Sequence, residues 1–213
     1  MAQKSKQWAA IIMMIALFAM IAFVTNLCSP MATIVKNQFG ASEAAGQIGN
    51  YANFIAYLVM GIPSGMLISK LVYKKTALAA LLVGLAGIVL EYLSGVMGSY
   101  WVYLGGAFIS GLCMCMLNTV VNPLLNVLGG GGKTGNQLIQ IGGAFNSAAA
   151  VAVYIMMGAL IGEVTKDTGI SDATPALIIA GAIFAVAFII LLFTKIEEPE
   201  QAPVELKLIT GAL

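Results

Sequence analysis

Six apolar stretches follow one another along this chain, at roughly 8–35, 45–71, 76–97, 100–128, 136–162 and 173–194. A helix needs about 20 mostly apolar residues to cross the hydrocarbon core of a bilayer, and each stretch is long enough. The junctions between them carry helix breakers or charge: Gly40-Ala41-Ser42, Lys74-Lys75, Gly98-Ser99, the run Gly129 to Gly132, and Lys166-Asp167-Thr168-Gly169. The pattern predicts an all-α integral membrane protein, a six-transmembrane-helix bundle over 8–195. A short cytoplasmic N-terminal segment, 1–7, precedes it, and a charged cytoplasmic tail, 196–213, follows with four Glu and two Pro.

Composition supports lipid as the solvent. The chain is 60% hydrophobic and 9% charged, whereas soluble domains carry roughly a quarter charged residues. The first apolar run, preceded by Lys4 and Lys6, is too long for the core of a secretory leader, and no small-x-small cleavage site follows it. It reads as a first span.

Charge placement orients the bundle. All ten basic residues are Lys. With the N-terminus in the cytoplasm, Lys4, Lys6, Lys70, Lys74, Lys75, Lys133, Lys195 and Lys207 fall inside, and only Lys36 and Lys166 fall outside. That distribution follows the positive-inside rule of a bacterial-type inner membrane. Both termini are then cytoplasmic.

Several function classes are disfavoured at this point. There is no His or Arg, which removes the commonest general base and the bidentate clamp for carboxylate or phosphate. A net charge of +1 leaves no basic footprint for nucleic acid. Cys28, Cys113 and Cys115 lie in apolar stretches with neither a redox nor a zinc spacing. No metal, cofactor or enzyme active site is expected. The segment from Gly129 through Lys133-Thr134 resembles the end of a phosphate-binding loop, but Val127 stands where that pattern needs Gly, and no strand precedes it. It reads as a turn between spans.

Polar side chains within a span are costly and face a cavity or another helix. Four of the expected spans carry them. Asn26 lies in the first, beside Ser29-Pro30. Gln47, Asn50, Asn53 or Phe54, and Tyr57 recur at three to four residues in the second. Asn118 and Asn122 share a face of the fourth, ahead of Pro123, and the fifth holds Gln137, Gln140 and Asn146-Ser147. Amides both donate and accept hydrogen bonds, which suits an uncharged polyhydroxylated ligand. An aromatic face such as Tyr57 or Tyr51 packs against a sugar ring. The alternative is interhelical hydrogen bonding, worth about 0.6 kcal/mol per bond in membranes. Glu91 is the acidic residue placed deep in a span. An intramembrane carboxylate raises a proton-coupling role by default, although its position about two turns from the outer end also lets it reach the interface.

Three blocks resemble a known family: Leu117-Asn118-Thr119-Val120-Val121-Asn122-Pro123, then Gln140 with Phe145-Asn146-Ser147, and the stretch from Ile62-Pro63 through Gly65 to Lys70 and Tyr73-Lys74. In this order they resemble the N-terminal half of a major facilitator superfamily transporter, of the kind of the L-fucose/proton symporter and the bacterial glucose/galactose transporters. The resemblance implies sugar transport by alternating access, with Asn122 and Asn146 in the cavity. Together with the polar stripes it makes Asn26, Asn53, Tyr57, Asn118, Asn122, Gln140 and Asn146 the expected lining. Ser29 and Asn118 stand where that family carries carboxylates, which leaves Glu91, another half, or no coupling at all as readings. Such transporters have two six-span halves. A partner for the polar face is therefore expected, either a second copy of the chain or a separate C-terminal half, alongside the sugar and membrane lipid. The rival reading is a truncated or accessory half that binds without transporting.

Overall fold

The computed structural model describes residues 7–196; most of the expected N-terminal segment and tail, 1–6 and 197–213, lies outside the described residues. Five helices follow in order: α1 (Trp8–Phe39), α2 (Glu43–Met97), α3 (Tyr100–Leu128), α4 (Gly132–Ile161) and α5 (Thr174–Phe193). All five are long and apolar enough to cross a membrane. The expectation of six separate helices is corrected to five. The second and third apolar stretches are one element of 55 residues, about 80 Å if straight, against a hydrocarbon core of about 30 Å.

It is not straight. Val72 has φ 60° and ψ 173°, outside any helical region, and the contacts on either side run in opposite senses along α3. In the first arm, residues 43–71, the Ala45 carbonyl accepts from the Tyr100 hydroxyl at 2.6 Å, the Tyr57 hydroxyl accepts from Asn118 at 3.0 Å, and Ser64 meets Thr119 at 2.9 Å. Numbers rise together, so this arm is parallel to α3. In the second arm, residues 73–97, Gly84 lies against Cys113 and Glu91 bonds Ser110 at 3.0 Å. That arm is antiparallel. The lysines expected to make a loop instead flank a reversal concentrated at one residue.

Small residues set the helix spacing. A Cβ built on Gly111 would stand 2.5 Å from the Asn53 carbonyl oxygen, and one on Gly87 would stand 2.8 Å from the Ser110 nitrogen. The backbone of α3 is thus in direct contact with both arms, the close approach that small residues permit between membrane helices. Around this centre α1 packs on α2, α3 and α4, and α5 lies along the second arm of α2. Lys74 Nζ donates to the Leu192 and Thr194 carbonyls at 2.9 and 2.7 Å, satisfying acceptors that the end of α5 leaves open.

The turns follow from local chemistry. Gly40 and Gly98 end α1 and α2 in the left-handed conformation, and the Ser42 hydroxyl caps α2 by accepting from the Ala45 nitrogen at 3.2 Å. Between α3 and α4, Gly130, Gly131 and Gly132 all take positive φ, which explains the glycine run as a tight reversal. Pro30, Pro63 and Pro123 lie inside helices, as membrane helices tolerate when neighbours re-satisfy the backbone.

Burial is uneven in the way lipid solvation requires. Leu17, Leu27, Met114, Leu117 and Phe184 form a continuous core, while Leu58, Trp101 and Phe193 point outward. The long helix α4 buries only Gly135, Gly142, Val153 and Met157, so most of its surface is open.

Candidate functional site

The polar residues of the first arm of α2 sort by helical face. Asn53 is buried and Phe54 exposed, which settles the inward choice between them. Asn53 Nδ2 reaches Cys28 Sγ of α1 at 3.9 Å, a weak bond to a poor acceptor. Its Oδ1 is buried without a partner among the described residues. One turn back, Asn50 donates to Gln47 at 2.7 Å. One turn on, half-buried Tyr57 accepts from Asn118 Nδ2 of α3.

Asn118 and Asn122 occupy successive turns of α3. Asn122 Nδ2 turns back to the Asn118 carbonyl at 3.1 Å, and Asn26 makes the same local bond to Ala22 of α1 at 2.8 Å. Both amides thereby keep their oxygens free of hydrogen bonds among the described residues. Asn146 of α4 donates to the Phe18 carbonyl of α1 at 2.7 Å. Phe18, Ala22 and Asn26 are four residues apart, so Asn146 and Asn26 address one stripe of α1. Gln140 is exposed on the open surface of α4.

The structure therefore joins Tyr57 to Asn118, places Asn122 on the next turn, and brings Asn26 and Asn146 to one face of α1. It leaves Gln140 apart on the open side. Chemically this is a seam of half-buried amides and one phenol, each presenting acceptor oxygens or donor hydrogens, with no charge within it. The partners Cys28, Ser64, Ser110 and Thr119 were not foreseen. Small hydroxyls and thiols in apolar helices carry no distinctive spacing, and only the contact reveals them.

Glu91 is also placed by these contacts. It is 4% exposed, and its Oε1 accepts from Ser110 Oγ. The expectation that it could reach the interface does not hold: its carboxylate lies between the second arm of α2 and α3.

Grooves elsewhere have a different character. One of about 390 Å³ between α1 and α5 is lined by Met13, Leu17, Met20 and Ile183 among other apolar residues. Another of about 360 Å³, in the loop before α5, includes Glu163, Asp167 and Asp172. Neither is lined by the residues of the seam.

A helical bundle of this length, with apolar outer surfaces and amides gathered on inner helix faces, defines a multi-pass integral membrane protein. The chain belongs to the Major Facilitator Superfamily, whose family model matches residues 11–210. Among curated relatives it is 25% identical over 193 residues to a glucose/galactose transporter of Brucella abortus biovar 1 (strain 9-941), covering 87% of this chain and 47% of that protein. It is 26% identical over 146 residues to the L-fucose-proton symporter of Escherichia coli (strain K12), covering 68% of this chain and 33% of the symporter. The crystal structure of the superfamily transporter FucP in the outward conformation superposes with a TM-score of 0.74 at 21% identity, over 88% of this chain and 50% of that one. The chain thus spans less than half the length of the curated relatives it matches.

Proposed function

We propose that this chain forms one side of a carrier that moves a sugar across the membrane by alternating access. The observation that carries the reading is the uncharged amide seam: Tyr57 with Asn118, then Asn122, Asn26 and Asn146, on the inner faces of three helices and the first arm of α2. Free amide oxygens accept from sugar hydroxyls, and the Tyr57 ring offers an apolar face to the pyranose. The names of the relatives point the same way. Substrate binds at the seam near the middle of the bilayer, where such folds place their sites.

A seam on one face needs a second wall. A second helical bundle, as another copy or a separate half, covers α4 and the first arm of α2, and rocking of the two against each other opens the seam to either side. The membrane is a bacterial-type inner membrane, with the lysine-rich end of the bundle in the cytoplasm.

The test is uptake. Proteoliposomes holding the protein from its complete reading frame are expected to take up labelled D-glucose, D-galactose or L-fucose. Asn118→Ala, which strips Tyr57 of its partner, is expected to lower kcat/KM by about tenfold or more, the scale of one lost hydrogen bond of roughly 1–2 kcal/mol. No uptake of any of these sugars by the wild-type protein would end this reading.

A further inference from the structure

The inference concerns Glu91 and rests on the transport reading above. Glu91 is the one buried carboxylate among the described residues. It lies where the second arm of α2 and α3 are in backbone contact: a Cβ built on Gly106 would stand 2.8 Å from Glu91 Cγ and from the Glu91 nitrogen. Ser110 supplies one hydroxyl donor to Oε1. Among the described residues no lysine pairs with it; Lys36 bonds Glu43 instead, and Lys70, Lys74, Lys75, Lys133, Lys166 and Lys195 belong to the ends of the bundle.

The groups that face it come from every neighbouring element. Cys28 of α1 and Tyr103 of α3 are buried titratable side chains of those elements. The part of α5 along this arm is apolar, with Leu177, Ile178 and Gly181 against Leu85 and Ile88. The first arm of α2 contributes neutral Asn53, whose backbone touches Gly111, the residue next to Ser110. Its buried Oδ1 has no donor among the described residues. Glu91 and the backbone of Asn53 therefore meet neighbouring residues of the same turn of α3, one from each arm of α2.

We propose that Glu91 carries a coupling proton for this carrier. A proton from water on one side binds the carboxylate to give the neutral acid, and the same proton leaves to water on the other side, regenerating the carboxylate. The two states make different bonds. The ionised group only accepts, from the Ser110 hydroxyl, whereas the neutral acid gains an O–H that donates, so the bond to Ser110 must be remade. Protonation thereby changes how the second arm of α2 grips α3, which is the differential interaction a two-state element needs to be biased. It also removes a full charge from the packed interior before the helices move.

The test compares wild type, Glu91→Gln and Glu91→Asp in proteoliposomes, using labelled D-glucose, D-galactose and L-fucose. Equilibrium counterflow and accumulation driven by an imposed inward proton gradient are measured side by side. Glu91→Gln is expected to keep counterflow near the wild-type rate and to lose accumulation, and Glu91→Asp to regain part of it. Accumulation by Glu91→Gln at the wild-type level overturns the proposal. So does loss of counterflow and accumulation together in a variant present at wild-type amount, since that marks a structural role. Accumulation by the wild type under a sodium gradient but not a proton gradient overturns it as well. Absence of counterflow in the wild type sinks the transport reading itself and is distinct from all of these. If Glu91→Gln does not reach the membrane, Ser110→Ala is expected to keep counterflow and to shift the external pH at which driven uptake is half-maximal; an unmoved midpoint overturns the proposal.

Discussion

At the scale of single residues, the seam is made of groups that a purely structural bundle would do better without. Asn53 is the sharpest case. Its buried Oδ1 has no donor among the described residues and its Nδ2 has only a thiol at 3.9 Å. An unsatisfied buried acceptor costs about 1–3 kcal/mol, more than a weak N–H···S contact returns. Asn53→Leu, close in volume, is therefore expected to raise thermal stability in detergent, by about 1 kcal/mol on that scale. A drop in the unfolding midpoint would show that the amide has a partner this reading lacks. The residue types of the seam were legible from sequence because amides in apolar runs stand out. Their bonds were not, because helical spacing fixes a face without fixing its neighbour. Asn26 and Asn122 turn to their own helix and Asn146 crosses to Phe18, and nothing in their spacing separates these outcomes.

At the scale of elements, the apolar runs located every helix to within a few residues, but the reversal within α2 escaped them. Glycine or proline usually signals such a turn, and here a β-branched residue takes a positive φ. That conformation costs a non-glycine residue about 1–3 kcal/mol. Val72→Gly is accordingly expected to raise the unfolding midpoint, measured by thermal denaturation in micelles. The contact of α3 with the arms permits a paired comparison. Nothing lies within 4 Å of a Cβ on Gly105, whereas one on Gly106 would be 2.8 Å from the Glu91 nitrogen and 3.0 Å from the Gly87 carbonyl oxygen. Gly106→Ala must force backbones apart and is expected to cost about 1–3 kcal/mol. Gly105→Ala, one residue away, is expected to stabilise through helix propensity alone, by up to about 1 kcal/mol. Equal effects in the two variants would mean that α2 and α3 are not in backbone contact at Gly87.

At the scale of the whole molecule, the chain path collects charge at one end. Because α2 folds back at Val72, its two ends lie with the C-terminus of α1, the start of α3 and the loop before α5. Asn37 bonding the Thr165 carbonyl and Gln38 accepting from the Ile170 nitrogen hold that end together. Lys70, Lys74, Lys75, Lys133 and Lys195 therefore share the opposite end, and Lys74 closes it against α5. Among described lysines only Lys36 and Lys166 belong to the first end, which also carries Glu43, Glu163, Asp167 and Asp172. Lysine counts flanking spans set orientation by resisting translocation, whereas acidic residues contribute little. Five lysines against two are the distribution on which we propose a cytoplasmic Val72 end. The native cysteines are buried, so an introduced surface thiol can be read against a low background. Ser99→Cys, at the other end, is expected to react with a membrane-impermeant maleimide in intact cells, and Lys133→Cys only after permeabilisation. The reverse pattern would invert the bundle. Labelling of both in intact cells would mean that the fold-back at Val72 does not return the chain to the side it came from, and the parallel and antiparallel contacts of α2 with α3 could not then coexist.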